Sequence, residues 1–322
     1  MEEIKVSVFI PVYNAEKYIE HCAQTLFEQT LQEIEFIFVD DCSPDNSISI
    51  LEEVAKKYPK KNIRIIRHTK NAGPLCARKT AMENAKGKYW ICCDSDDWVE
   101  HDMYERMLIV AESEQADMVC CGIVKEGTTS IPIRYNKQSE TKYDILNPDK
   151  FGGIYGIQTN KLINASLYMK HDIKKLEGLS MWEDSCVTIP LRLLSKKTIL
   201  MRECFYHYNV ANAGSICHTL SKKHRMDMIS AIKFLNCFFK ENNLEKDAFD
   251  LLNERTMEAY THLLGIFSNE NKNILKDIFP KANIWKYTKW TFKTKLKIWL
   301  IVHMPFPIYK AWHNLKTHRK TQ

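Results

Sequence analysis

Over the first 125 residues, hydrophobic and polar positions switch between two periods. IKVSVFIPV (4–12), IEFIFVD (34–40), IRIIRH (63–68), KYWICCD (88–94) and DMVCCGI (117–123) are short and rich in β-branched or aromatic residues. Several are apolar on both faces, as strands covered by helices on each side must be. Between them, Ala15–Gln29, Ser47–Tyr58, Pro74–Asn84 and Met103–Glu114 carry helical spacing, the last with Asp102 as its N-cap. Strand and helix alternating in this way predict right-handed crossovers and an α/β fold, Rossmann-like, with a mainly parallel sheet sandwiched by helices.

The pattern then changes. Residues 126–143 are polar and loop-like, and 151–219 are mixed, broken by Gly152, Gly153, Gly156 and Gly178. Glu183–Lys196 reads as a helix opened by acidic residues, which suits a positive N-terminal dipole, with Pro190 predicting a kink or a late start. From His224 to Phe267, apolar residues such as Met228, Ile232, Leu235, Phe238 and Phe239 recur at helical spacing, predicting a helical extension. The divisions expected are 1–125, 126–222, 223–280 and 281–322.

Composition adds little until charge is mapped. Hydrophobic content of 45% and charged content of 27% over 322 residues are ordinary for a globular protein. The net charge of +6 is unevenly spread: residues 281–322 hold ten Lys or Arg and no Asp or Glu. The other 280 residues therefore carry 36 of the 46 basic side chains against all 40 acidic ones. The acidic start, MEEIKV, is unlike a signal peptide, so a cytoplasmic protein is expected. Eleven cysteines without a C-x-x-C pair read as free, buried thiols rather than a zinc site.

In a parallel sheet, ligands gather beyond the carboxyl ends of the strands. Here those ends read PVYN, VDDCSPDNS and CCDSDDW. No G-x-G-x-x-G or G-x-x-x-x-G-K-[ST] follows any strand, which argues against a dinucleotide or P-loop site. Asp94, Ser95, Asp96 and Asp97 drive an apolar strand into three carboxylates. Such a knot is either a solvated turn or the seat of a divalent cation carrying a nucleoside diphosphate.

The order VSVFIPVYNAEKYIEHCAQTLFEQT, IEFIFVDDCSPDNS, NAGPLCARKTAMENAKGKYWICCDSDDW resembles the glycosyltransferase family 2 pattern, which has a GT-A-type fold. That resemblance implies an inverting transferase using a nucleotide-sugar donor, here a UDP-sugar, with magnesium or manganese. Carried over by position, Pro11, Val12, Tyr13 and Asn14 would line the nucleoside pocket. Asp41 would accept from a uracil ring nitrogen, supported by Asp40. Asn71, Gly73 and Arg78 match an N-x-G-x-x-x-x-R stretch, with Arg78 near the donor's nucleotide end. Asp94 and Asp96 match D-x-D, Asp96 being the expected metal ligand and Asp97 sharing the role if the register shifts. The base that deprotonates the acceptor usually belongs to an E-D pair opening a helix; here that pair is Glu183 and Asp184, with Asp184 as base. TNKLINASLY resembles a W-N-K-L-Y segment with Thr159 in the Trp position, and His207 or His218 could contact diphosphate or metal. The chain lacks the Q-x-x-R-W of polymerising members, so non-processive transfer to a glycan or lipid-linked oligosaccharide in surface-polysaccharide synthesis is expected. The alternative is a non-catalytic nucleotide-binding subunit scaffolding a glycan-assembly complex.

The tail carries eight aromatics among its cations, without a nucleic-acid-binding signature. Its longest apolar run, IWLIVHMPFPIY, is too short to span a bilayer. Lys and Arg mixed with Trp predict a segment lying on an anionic membrane at its cytoplasmic face, against the alternative of a last helix packing its aromatics on the body.

Overall fold

Burial explains the strands in the computed structural model, which describes residues 3–135, 156–170, 178–212, 221–245, 291–305 and isolated positions at 252, 255–256, 258–259, 285, 307–308 and 311. Every residue of β2 (Ile34–Asp40) is buried, and in β1 (Val6–Val12) only Pro11 is partly exposed. β3 (Asn62–Arg67), at the sheet edge, is half open, and β4 (Tyr89–Cys92) is wholly covered. These four pair in parallel, β2 to β1 and β3, and β1 to β4.

Five further strands complete the sheet: β5 (Trp98–Val99), β6 (Met118–Glu126), β7 (Ser130–Ile133), β8 (Lys161–Asn164) and β9 (Thr198–Asn209). The order is β3-β2-β1-β4-β8-β6-β9-β5, with β7 paired to β6. β8 lies antiparallel between β4 and β6, while β9 runs parallel to β6 with a bulge near Gly122. The sheet is thus parallel in its first half and mixed in its second.

Helices flank it: α1 (Ile19–Phe27), α2 (Ser47–Lys56), α3 (Pro74–Asn84), α4 (Met103–Ser113), α5 (Ala165–Lys170) and α6 (Glu183–Leu194). α1 buries Ile19, Cys22, Ala23, Leu26 and Phe27, one stripe at helical spacing, and Phe27 meets Phe36, Phe38 and Tyr58 edge-on or tilted. It begins later than the periodicity predicts. The Ala15 and Glu16 N–H groups donate to Ser47 Oγ and Asp45 Oδ2, at 2.8 and 2.9 Å, tying that turn to the loop before α2. Asp102 holds the N-cap position of α4, but its carboxylate makes no cap bond and lies 3.8 Å from Arg106. α6 continues through Pro190.

A carboxyl group is buried within the strands of the parallel half. Glu35 is fully buried on β2, where Ser7 Oγ, the Lys86 N–H and Arg64 Nη2 all donate to it. Gly87 donates to Ser7 Oγ, and a Cβ there would lie 2.6 Å from the Ser7 nitrogen, so only glycine lets the chain pass.

The chain divides into two compact units, Met1–Thr219 and Leu220–Gln322. The second contains α7 (Lys222–Glu241) and α8 (Phe292–His303). Ser221 caps α7 by accepting from the His224 N–H, and the helix buries Met228, Ile232, Leu235, Phe238 and Phe239, as the spacing predicts. Among the described residues, no helix is long and apolar enough to cross a membrane.

Candidate active site

Because β1, β2 and β4 run parallel, their carboxyl ends deliver Tyr13–Asn14, Asp40–Asp41 and Asp94–Asp97 to one edge of the sheet. The turns there adopt uncommon backbone: Asn14, Cys42, Gly73 and Trp182 all have positive φ. Tyr13 follows β1 half exposed, its turn fixed by the Glu16–Asp45 contacts.

Asp40 and Asp41 face different partners. Asp40 Oδ1 accepts from the Ser43 N–H at 2.8 Å. The buried Asp41 carboxylate accepts from the Ala72 and Gly73 N–H groups at 2.9 and 2.7 Å, at the start of α3. Its Oδ1 also meets His68 Nδ1 at 2.8 Å, and His68 Nε2 reaches Thr80 Oγ1. Asp41 therefore gathers the Asn71–Gly73 loop against the tip of β2. His68 escaped the motif reading, although its place just past β3 puts it at the same sheet edge.

α3 turns only Ala77, Arg78 and Ala81 inward. The two alanines allow close approach, and Arg78, 3% exposed, becomes the centre of the site. Its Nη2 donates to Asp94 Oδ1 at 2.8 Å; its Nη1 donates to Asp184 Oδ1 at 3.0 Å and Glu183 Oε1 at 3.3 Å. One guanidinium thus bridges the tip of β4 and the start of α6, whose two acids lie more than 100 positions beyond Arg78 in sequence. Burial opposes its charge, but Asp184 and Asp94 outweigh that and hold it still more firmly protonated.

The acids respond in kind. Glu183 is pushed up to about 7 by burial, then by the charge of Asp184, against the pull of Arg78. Asp184 is raised by burial and lowered in part by Arg78 and by Gln158, whose Nε2 donates to Oδ1 at 2.8 Å. Gln158, 1% exposed, was missed by the sequence reading; its buried amide in the otherwise motif-like IQTNKLI is the only signal it leaves. Behind it Lys161 is buried and pushed down to about 8, donating to the Ile157 carbonyl and Asn160 Oδ1.

The three aspartates after β4 separate. Asp96 accepts from Asn212 Nδ2 at 2.7 Å and is raised by burial and by the charge of Asp94. Asp97, 1% exposed, has one oxygen on the Tyr206 hydroxyl and the other on the Asn209 N–H, both from β9. These contacts make it an anchor for β9, which disfavours the expected share in metal binding. Ser95 is buried. Among the described residues, no three His, Cys, Asp or Glu side chains converge as a metal cage. The donor set offered by Asp94 and Asp96 is two hard carboxylate oxygens with mutually repelling charges. It fits magnesium or manganese completed by phosphate oxygens and water.

His207 is spent elsewhere: its ring bonds Glu126 and Glu100 and stacks on Trp98 at 5.4 Å. His218 lies outside the described residues.

The Glycosyl transferase family 2 profile matches residues 7–172. EpsH of Bacillus subtilis strain 168 is 31% identical over 250 residues, covering 76% of this chain and 71% of EpsH. The poly(ribitol-phosphate) beta-glucosyltransferase of Bacillus spizizenii is 30% identical over 239 residues, covering 71% of this chain but only 37% of that protein. The crystal structure of S. aureus TarS 1–349 in complex with UDP-GlcNAc superposes with TM-score 0.73 at 18% identity, over 99% of this chain and 92% of that one.

Proposed function

The chain belongs to glycosyl transferase family 2, and from that premise we propose that it moves a sugar from a UDP-sugar to a hydroxyl of a glycan or lipid-linked oligosaccharide, inverting the anomeric carbon. The observation that carries this reading is Arg78, whose guanidinium joins Asp94 on β4 to Glu183 and Asp184 on α6. It sets a carboxylate able to take a proton beside a carboxylate able to hold a diphosphate's counterion.

In the proposed reaction the acceptor hydroxyl attacks the anomeric carbon from the face opposite the diphosphate. The new carbon–oxygen bond forms as the bond to the diphosphate oxygen breaks, and that oxygen keeps the electron pair. Asp184 takes the hydroxyl proton; Arg78 and Gln158 hold its Oδ1 in place. Glu183 lies alongside and orients the acceptor. Pro11, Val12, Tyr13 and Asn14 form one wall for the nucleoside, Asp40 and Asp41 the other, with Asn71 and Gly73 closing the loop between them. Asp94 and Asp96 would hold a divalent metal, which when bound would neutralise the charge of the departing diphosphate. TarS, named as a UDP-GlcNAc complex, and a relative named for poly(ribitol-phosphate) support a uridine donor and a surface-polymer acceptor.

The test is a panel of nucleoside-diphosphate sugars assayed for nucleotide release with manganese, magnesium or chelator. UDP release with metal, lost in Asp96→Ala and in Asp184→Asn, is expected. Release from no donor, or undiminished release in Asp96→Ala, would refute the assignment.

A further inference from the structure

The basic tail contains α8, and its faces divide sharply. Phe292, Leu296 and Trp299, spaced i, i+4 and i+7, form a single stripe and are 70%, 38% and 41% exposed. His303 continues it, tilted against Trp299 at 4.7 Å, and Trp285, 43% exposed, lies against Phe292 at 5.5 Å. Ile298, on the opposite side of the helix, is fully buried. Ile298 thus packs inward, while the aromatic stripe is left to solvent. Lys293 and Lys295 flank the stripe on either side.

We propose that α8 lies in the interface of an anionic bilayer, with Phe292, Leu296 and Trp299 inserted among the acyl chains and the flanking lysines among the headgroups. Charge selects this occupant. Residues 281–322 hold ten cations and no acid, so a second copy docking here would bring two such sets together, whereas anionic lipid complements them. Apolar residues on one helical face with lysines beside it are what a helix in the interface plane needs. The purpose of this contact, bringing the site to a lipid-linked acceptor, rests on the function proposed above. The contact itself does not, because vesicle binding needs neither donor nor turnover.

The experiment uses the full chain with vesicles of phosphatidylcholine alone or with one third phosphatidylglycerol. The wild-type protein should sediment with anionic vesicles and less with neutral ones, the more weakly the higher the salt. The Phe292→Ser/Leu296→Ser/Trp299→Ser variant should bind at least about tenfold more weakly while releasing UDP from donor as the wild type does, which also shows that it is folded. Each cation beside an anionic surface is worth about a fivefold gain, so Lys293→Gln/Lys295→Gln should lose more than about tenfold on anionic vesicles alone. Failure of the wild type to sediment, equal sedimentation of the serine variant, or conversion of a wild-type dimer to a monomer by that variant would each overturn the proposal.

Discussion

Arg78→Met removes the one cation that three carboxylates share. In the folded chain that guanidinium is nearly inaccessible and lies 2.8, 3.0 and 3.3 Å from Asp94, Asp184 and Glu183. At an effective dielectric near 20, each contact is worth roughly 4 kcal/mol before the cost of desolvating the ions. That cost consumes most of the sum, but it has already been incurred by the acids that remain after the substitution. Breaking a buried pair from one side therefore costs about 3–5 kcal/mol, and methionine should destabilise by that amount. Lysine should fall between, since an ammonium cannot fork to two elements at once.

Urea unfolding in the presence of chelator measures the effect, and a double-mutant cycle with Asp184→Asn tests its cause. With Arg78 in place, removing the Asp184 charge loses that attraction while it relieves burial and repulsion, so the net effect should be small. In the Arg78→Met background only burial and the repulsion among Asp94, Glu183 and Asp184 remain, and Asp184→Asn should stabilise by at least about 1 kcal/mol more. That coupling is the signature of a shared cation. A loss under about 1 kcal/mol for Arg78→Met, or an equal effect of Asp184→Asn in both backgrounds, would refute the reasoning.

Asp184→Asn should reduce transfer by at least about a hundredfold with the donor KM unchanged, measured with a competent acceptor. Since burial raises both Asp184 and Glu183, the latter to about 7, wild-type transfer should rise with pH along an acid limb above the ordinary carboxylate range. The same acids bind protons more tightly folded than unfolded. Their contribution to stability is therefore full below the ordinary carboxylate values and is lost as pH rises through about 7, which melting curves across that window would record. Gln158→Leu removes a hydrogen bond to the ionised Asp184, so the acid limb should move to higher pH and kcat should fall with KM little changed; Gln158→Asn, which keeps an amide, should recover less than half the loss. Asp97→Ala should lower the unfolding free energy by about 1–3 kcal/mol because it leaves the Tyr206 O–H donor and the Asn209 N–H without their acceptor, and metal titration of donor hydrolysis in the surviving fold should keep its midpoint.

How much of this was legible depended on how local the cause was. β2 is readable because a run of Phe, Ile and Val ends in acids, and α3 because Gly73 and Pro74 open it. The family pattern brought Asp94, Arg78 and Asp184 into view as separate matches, but not that they touch, because α3, β4 and α6 meet only in the folded chain. Glu35 sits within an apolar strand, and its partners Ser7, Arg64 and Lys86 come from three other segments, which no local pattern could reveal. β8 was hidden because a four-residue antiparallel strand carries too short a pattern to register. His207 illustrates the opposite case. A histidine near the site invites a ligand role, yet two glutamates and Trp98 claim it.

The charges of the site make one further argument. Asp94, Asp96, Glu183 and Asp184 are four acids, and Arg78 is the single cation bonded to them among the described residues. Even with Glu183 protonated near neutrality, the corner remains negative, and a nucleoside diphosphate brings more negative charge still. Arg78 cannot accommodate it alone, because each arm of its fork already lies on a carboxylate. Either Arg78 turns from Asp184 toward the phosphates, which would leave the base without its partner, or positive charge must arrive with the donor. The hydrogen bond from Gln158 to Asp184 bears on that choice. It holds the carboxylate in place whichever way Arg78 turns, so the base remains oriented when the diphosphate competes for the guanidinium.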